Sequence, residues 1–263
     1  MLIQKNFLQQ AVRLSHRSIL GMLRQPQSWA PGLFFPLLLA AVYSSQFSKA
    51  VDIVGFPFQD VSFLDFVLPA CVIQGVLFGS TNSASDLAAD IENSFMDRLL
   101  VSPVSRASIL LARLASAFMY GVVQAGILIT IFLIFGANIA GGFPSIISIV
   151  LIAALLAVSI GSFGIAIALR TGSQEVVQST FPLIFVAIFV SSAFFPVQLM
   201  EGWYGSIAQK NPLTWIIDPT RRMAIVGFSW KDLGQSLGII SAIASLGIGI
   251  SIWQLRRRLV SAQ

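Results

Sequence analysis

DLAADIENSFMDRLLVSPVSRASILLAR, residues 86–113, is the densest cluster of charge between two long apolar segments. Within it Ile91, Phe95, Met96, Leu99 and Leu100 recur at helical spacing, which predicts a short amphipathic helix over 90–101. Asp90 and Glu92 sit at its start, where the helix dipole favours negative charge. Pro103 stops it, because proline lacks the N–H and biases its predecessor away from the helical region. Ser105 then caps a second helix that runs from Arg106 into the next apolar segment. A firm helix with an apolar face, placed in a short membrane loop, either lies on lipid or sits in the groove of a partner.

The surrounding chain decides the class. Of 263 residues, 56% are hydrophobic and only 10% charged, where a soluble domain carries roughly 25% charge. This is the composition of an integral membrane protein, all-α, with no separate soluble domain. The formal charge of +5 reads as loop topology and contact with anionic lipid, and not as nucleic-acid binding. Cys71 is the single cysteine and lies within an apolar run, so it forms no intrachain disulfide. Basic residues interrupt the first 25 positions, and no cleavable signal peptide is expected.

Residues 3–24 place Ile3, Phe7, Ala11 and Leu14 on one face, with Lys5, Arg13 and Arg17 mostly on the others. This predicts an interfacial helix lying along the bilayer, with His16 on its solvated side. Six spans are expected, over about 29–47, 63–84, 107–135, 144–169, 176–195 and 233–253. Pro31 falls near the start of the first and Pro36 is a candidate kink. Gly75 and Gly79 in the second form a GxxxG pair, and Gly234 and Gly238 recur in the sixth; both pairs suit self-association and packing within the chain equally. Between spans five and six the chain is semi-apolar yet broken by Pro196, Pro212 and Pro219, which predicts a re-entrant element over 196–215. With both termini cytoplasmic, basic residues divide 11 inside to 5 outside, favouring that orientation in a cell membrane. Arg221 and Arg222 are the outer exceptions, for which Asp218 or Glu201 are the nearby partners.

Several chemistries are missing from the pattern. No phosphate-binding G-x-x-x-x-G-K-[ST] loop occurs. No acidic, histidine or cysteine cluster has metal-ligand spacing, and one histidine on a surface helix supports no nucleophilic triad. No paired carboxylates lie deep in a span, as proton-driven carriers tend to carry. No polar residue repeats along a span as a channel lining requires. The chain reads as a transporter subunit that is not itself an enzyme, holds no cofactor and draws its energy from another subunit.

The run from Asp90 to Arg113 resembles the first cytoplasmic loop of type 2 ABC exporter permeases, closest to the daunorubicin-resistance type. The matching positions are Glu92, Phe95, Asp97, Arg98, Leu99, Leu100, Ser102, Pro103, Ser105 and Arg106, while Ser94 stands where that family usually has glycine. A second similarity lies at Phe195-Pro196, Asn211-Pro212-Leu213-Thr214, Asp218 and Arg221. Six spans behind an N-terminal surface helix are also that family's layout, so the resemblance covers nearly the whole chain.

The resemblance implies a role for each stretch. Glu92, Phe95, Met96, Asp97, Arg98, Leu99, Leu100 and Pro103 would form the coupling helix that docks on a separate ATPase subunit. Arg170, Gln174 and Glu175 would be a second, smaller cytoplasmic contact. Two permeases, identical or related, would work with two ATPase subunits that bind ATP and Mg, rocking the spans by alternating access. Gln74 and Phe78 would face Phe181, Phe185 and Phe189 across a hydrophobic substrate cavity, with Phe195, Pro196, Asn211 and Pro212 in an outer lid. A phenylalanine-lined cavity suits drug-like or lipid-like amphiphiles. Export of a polysaccharide or lipid-linked glycan is the alternative within the family, and a non-transporting scaffold or sensor the alternative outside it.

Overall fold

The computed structural model describes residues 20, 26–52, 56–58, 61–94 and 106–261. Most of the expected interfacial helix and the whole of 95–105, including Phe95, Met96, Asp97, Arg98, Leu99, Leu100 and Pro103, lie outside the described residues. Among the described residues the fold is all helical, without strands. The helices are α1 (Pro26–Gln46), α2 (Phe63–Ser80), α3 (Asn82–Glu92), α4 (Arg106–Ile134), α5 (Gly142–Thr171), α6 (Gln174–Gln178), α7 (Phe181–Phe189), α8 (Gly202–Lys210), α9 (Pro212–Ile225) and α10 (Trp230–Ser261).

Among the described residues, four stretches are long and apolar enough to cross a membrane: Phe63–Glu92, Ala107–Ile134, Gly142–Thr171 and Trp230–Arg258. The protein is therefore a multi-pass membrane protein. α1 is 21 residues long and holds both Pro31 and Pro36 in its interior, so Pro31 is not in the first turn. Expected span five stops early. Gln174–Phe189 is 16 residues of broken helix, about 24 Å at helical rise against a hydrocarbon core of roughly 30 Å.

Expected span two differs most. Its helix does not stop at 84: α2 turns at Thr81 and continues as α3 to Glu92. Asp90 and Glu92 thus belong to the end of this helix and not to the start of a new one. Asn93 then closes the last turn, its backbone N–H and side-chain amide both donating to the Ala89 carbonyl at 2.9 Å. Ser94 follows at φ 54°, the left-handed region where glycine is the unstrained residue. The last span runs to Ser261, eight residues past its expected end, because Gln254 to Arg258 still have helical neighbours to pack on.

α2 is the shaft of the bundle, with every residue from Phe66 to Ser80 buried. It is enclosed by α1, α4, α5 and α9, while α5 also carries α3 and α10 along its length. The α5–α10 seam is built of small and hydroxyl side chains. Ser159 donates to Ile240 O at 3.2 Å, and Ser251 donates to Ser162 O at 2.6 Å beside Gly247.

The GxxxG pair of α2 packs within the chain. Pro36 lacks the N–H that would have bonded the Gly32 carbonyl. That carbonyl faces Gly75, where a Cβ would fall 2.6 Å from it. At Gly79 a Cβ would fall 1.7 Å from the Tyr120 hydroxyl of α4. Gly234 and Gly238 on α10 meet nothing. Gly79→Ala is accordingly expected to cost about 1–3 kcal/mol through overpacking, read as a lower thermal midpoint of the full chain in lipid, whereas Gly238→Ala leaves the midpoint level or slightly raised.

Candidate functional site

At the end of the bundle where α3 stops, five helices meet: α3, α4, α5, α6 and α10. The Glu92 carboxylate accepts the Gln174 backbone N–H at 2.8 Å, binding the end of α3 to the start of α6. Asp90 pairs with Arg113 on α4, and Ser83 donates to the Arg113 carbonyl at 3.1 Å. Leu87, Ala88 and Ile91 pack with Ile109, Leu110, Leu169, Val177 and Leu255 beneath. Gly172, left-handed at φ 64°, ends α5 directly against Ile91. Arg258 of α10 donates to the Leu169 carbonyl at 3.0 Å. The two stretches read as separate cytoplasmic contacts, around Glu92 and around Gln174, thus form one surface; Arg170 and Glu175 stand exposed on it. The partners Arg113 and Arg258 had no signal in the sequence beyond their charge.

The aromatic residues also come together. Phe78 lies 4.9 Å from Phe181 and stacks on Phe185 at 6.0 Å, and Phe185 stacks on Phe189 at 4.5 Å. Phe35 of α1 joins them, 5.5 Å from Phe78 and 5.7 Å from Phe185. Beyond Phe189 the series continues through Phe194, Tyr43 and Phe47 to Phe63. Phe195 reaches the same series through Phe47. The rings from α2 and α7 touch one another, closing the space between the two helices. Gln74, one turn from Phe78, is fully buried, and among the described residues its amide has no hydrogen-bond partner. Phe35 and Tyr43, eight residues apart on one face of α1, are additions to the sequence expectation.

The opposite end of the bundle closes over the broken end of α7. The last carbonyls of a helix lack partners from within it, and each here finds one. Val186 accepts the Val190 N–H at 2.9 Å, and Ile188 accepts the Ser191 N–H at 3.1 Å. The Asn211 amide donates to Ala187 O at 2.7 Å and Val190 O at 2.9 Å. The Tyr204 hydroxyl donates to Phe189 O. Asn211 also accepts the Leu213 N–H at 2.9 Å, so it ends α8 and caps α9 with Pro212 in the first turn. The element expected over 196–215 is therefore a 3-10 turn, α8, and an α9 that runs on to Ile225.

Arg221 completes the closure. Only 2% exposed, it donates from Nη2 to Ser192 O at 2.7 Å and Ala193 O at 2.9 Å, and from Nε to Phe66 O of α2 at 2.9 Å. Nη1 pairs with Asp218 at 3.0 Å, and the guanidinium lies 3.8 Å over the Phe66 ring. Asp218 accepts the Ser192 hydroxyl at 2.6 Å. The expected Arg221–Asp218 pair is present; Arg222 pairs instead with Asp232 of α10. A cavity of about 160 Å³ opens above, lined by Pro57, Phe58, Pro196, Gln198 and the two arginines.

A family model matches residues 9–224 of this arrangement, that of the ABC-2 type transporter. The chain belongs to the ABC-2 transporter family. It is 31% identical over 224 residues to the ycf38 transport permease of Cyanophora paradoxa, covering 82% of this chain and 74% of that protein. The ycf38 of Porphyra purpurea is 26% identical, with 96% of this chain and 90% of that protein covered. The daunorubicin resistance permease DrrB1 of Streptomyces coeruleorubidus is 22% identical, with 81% and 74% covered. This chain is thus an ABC permease with relatives among drug-resistance permeases.

Removing the guanidinium leaves three carbonyls and a carboxylate without it. Arg221→Met is expected to cost about 3–5 kcal/mol and Asp218→Asn less, since that carboxylate is partly solvated; thermal unfolding of both variants in lipid checks the order.

Proposed function

We propose that this ABC-2 permease is the membrane subunit of an exporter that moves drug-like or lipid-like amphiphiles out of the cytoplasm or inner leaflet of the cell membrane. Two copies of a separate ATPase subunit bind ATP and Mg and dock on the Glu92 end. Six crossings are counted by adding α1 to the four long spans and letting the α6–α7 helix, too short to cross by itself, complete the sixth together with the capped stretch that follows it to Asn211. Both termini face the cytoplasm, and a second permease, identical or related, completes the pathway.

The observation that carries the reading is the continuity of α2 and α3. The stretch that resembles a coupling helix follows directly on Ser94, at the end of a helix 30 residues long. The other end of that helix is held by Arg221 through Phe66. Closure of the ATPase pair pushes on 95–105, and the push enters a helix that runs from the Glu92 end of the bundle to the Arg221 end. Phe95, Met96, Leu99 and Leu100 act as the apolar anchors in the ATPase groove, with Asp97 and Arg98 at its rim. Phe78, Phe181, Phe185 and Phe189 form the wall that parts around cargo, and Phe195, Pro196, Asn211 and Pro212 belong to the outer closure. The name of the DrrB1 relative, which refers to daunorubicin resistance, supports a hydrophobic cargo.

Gentle purification of the chain from its own membranes tests the reading. An ATPase is expected to accompany the intact chain and to be lost from Leu99→Asp/Leu100→Asp, because each change buries a charge in the groove. Drug susceptibility of the host is expected to rise in parallel. An intact chain that brings no ATPase across several detergents would overturn the docking role.

A further inference from the structure

Contrary to the expectation that no polar residue repeats along a span, three polar side chains on α4 are spaced one turn apart and face inward: Ser116, Tyr120 and Gln124 are 7%, 4% and 2% exposed. Among the described residues, the Ser116 hydroxyl, Tyr120 hydroxyl and Gln124 Nε2 are buried without a hydrogen-bond partner. A Cβ at Gly32 of α1 would meet the Tyr120 hydroxyl at 2.9 Å and Gln124 Nε2 at 3.0 Å, so both groups converge on one point of the α1 surface. The Trp29 indole N–H, one turn earlier on α1, is likewise buried and unpartnered. Such groups at membrane depth are costly unless something bonds to them in a working state. At this point α1 meets α2 through two glycines, Gly32 and Gly75, so their backbones approach directly.

We infer that the α1–α4 seam is the polar half of a closed cargo site, taking an uncharged hydrogen-bonding group such as a hydroxyl or carbonyl of an amphiphile when α1 lifts away. The inference rests on the exporter reading and adds to it a second wall and a charge preference. The polar seam adjoins the aromatic wall directly. Phe35 is one turn beyond Gly32 on α1, and Phe78 is the neighbour of Gly79 on α2, with the two rings 5.5 Å apart. A molecule bound between α1 and its neighbours therefore meets hydroxyl and amide groups on one side and phenylalanine rings on the other. The nearest charged side chain on α4 is Arg113, and it is paired with Asp90. Among the described residues, the groups that meet at Gly32 and Gly75 include no carboxylate to select a cation.

The probe is the aglycone of daunorubicin, an uncharged, polyhydroxylated and fluorescent anthraquinone, titrated into the full chain in lipid nanodiscs; daunorubicin, with its amine, is the charged comparison. The aglycone is expected to bind saturably and the cationic parent no more tightly. Tyr120→Phe/Gln124→Leu removes two unpaired polar groups, so its thermal midpoint without probe is expected to rise while its affinity for the aglycone falls about ten-fold. A purely structural seam gives the opposite pattern, with affinity unchanged or stability lost, and either result overturns the inference. Absence of saturable binding overturns it too. Capture of the ATPase by the unaltered chain is scored separately, so the exporter reading survives or fails independently.

Discussion

Every backbone carbonyl at membrane depth needs a partner, because hydrocarbon supplies none. The rest of this structure depends on how that requirement is met at the end of α7. The α6–α7 segment is too short to cross, so its helix ends where water does not satisfy it. Asn211, Tyr204 and Arg221 reach back from α8 and α9 to bond five carbonyls between Ala187 and Ala193. The charge that makes Arg221 expensive to bury is what lets one side chain serve two chain segments at once. Asp218 and the Phe66 ring supply the compensation that such a cation requires.

This arrangement explains why the Asn211 end is a closed cap and the Glu92 end a platform. The cap is held by buried, directional bonds with little slack. The platform is held by surface-accessible contacts, Glu92 to Gln174 and Arg258 to Leu169, over a small apolar cluster. α2 and α3 connect the two through a single turn at Thr81. An ABC permease has to respond at one end and keep its barrier at the other, and the two kinds of contact suit those two duties.

Much of this was legible in the residues. Asn211-Pro212 marks a helix junction and Asp218 is a partner of Arg221, whereas the ends of the charged run, 86–92 and 106–113, belong to the two long helices that flank it. Ser94 adopts a left-handed backbone conformation, where glycine is the unstrained residue. What stayed hidden needed the third dimension. Asp90 and Glu92 look like the start of a helix because acidic residues favour that position, yet they end one and are held by Arg113 and the α6 backbone. The hydrophobic run after Glu175 looks like a full span because composition does not record where backbone bonding stops. Arg222 finds Asp232 across a loop, and the aromatic series recruits Phe35 and Tyr43, which share one face of α1 with Leu39 between them. Tyr120 and Gln124 were absorbed into an apolar average.

Amide hydrogen exchange across 187–195, read residue by residue on the full chain in lipid nanodiscs, tests the central claim most directly. If the broken end of α7 is sealed by α8 and α9, the Val190, Ser191, Ser192 and Ala193 amides exchange as slowly as those in the middle of α2, because opening them requires Arg221 and Asn211 to release their carbonyls. Exchange at the rate of an open loop, with α2 still protected, would contradict the account and make this end of the bundle a solvated mouth.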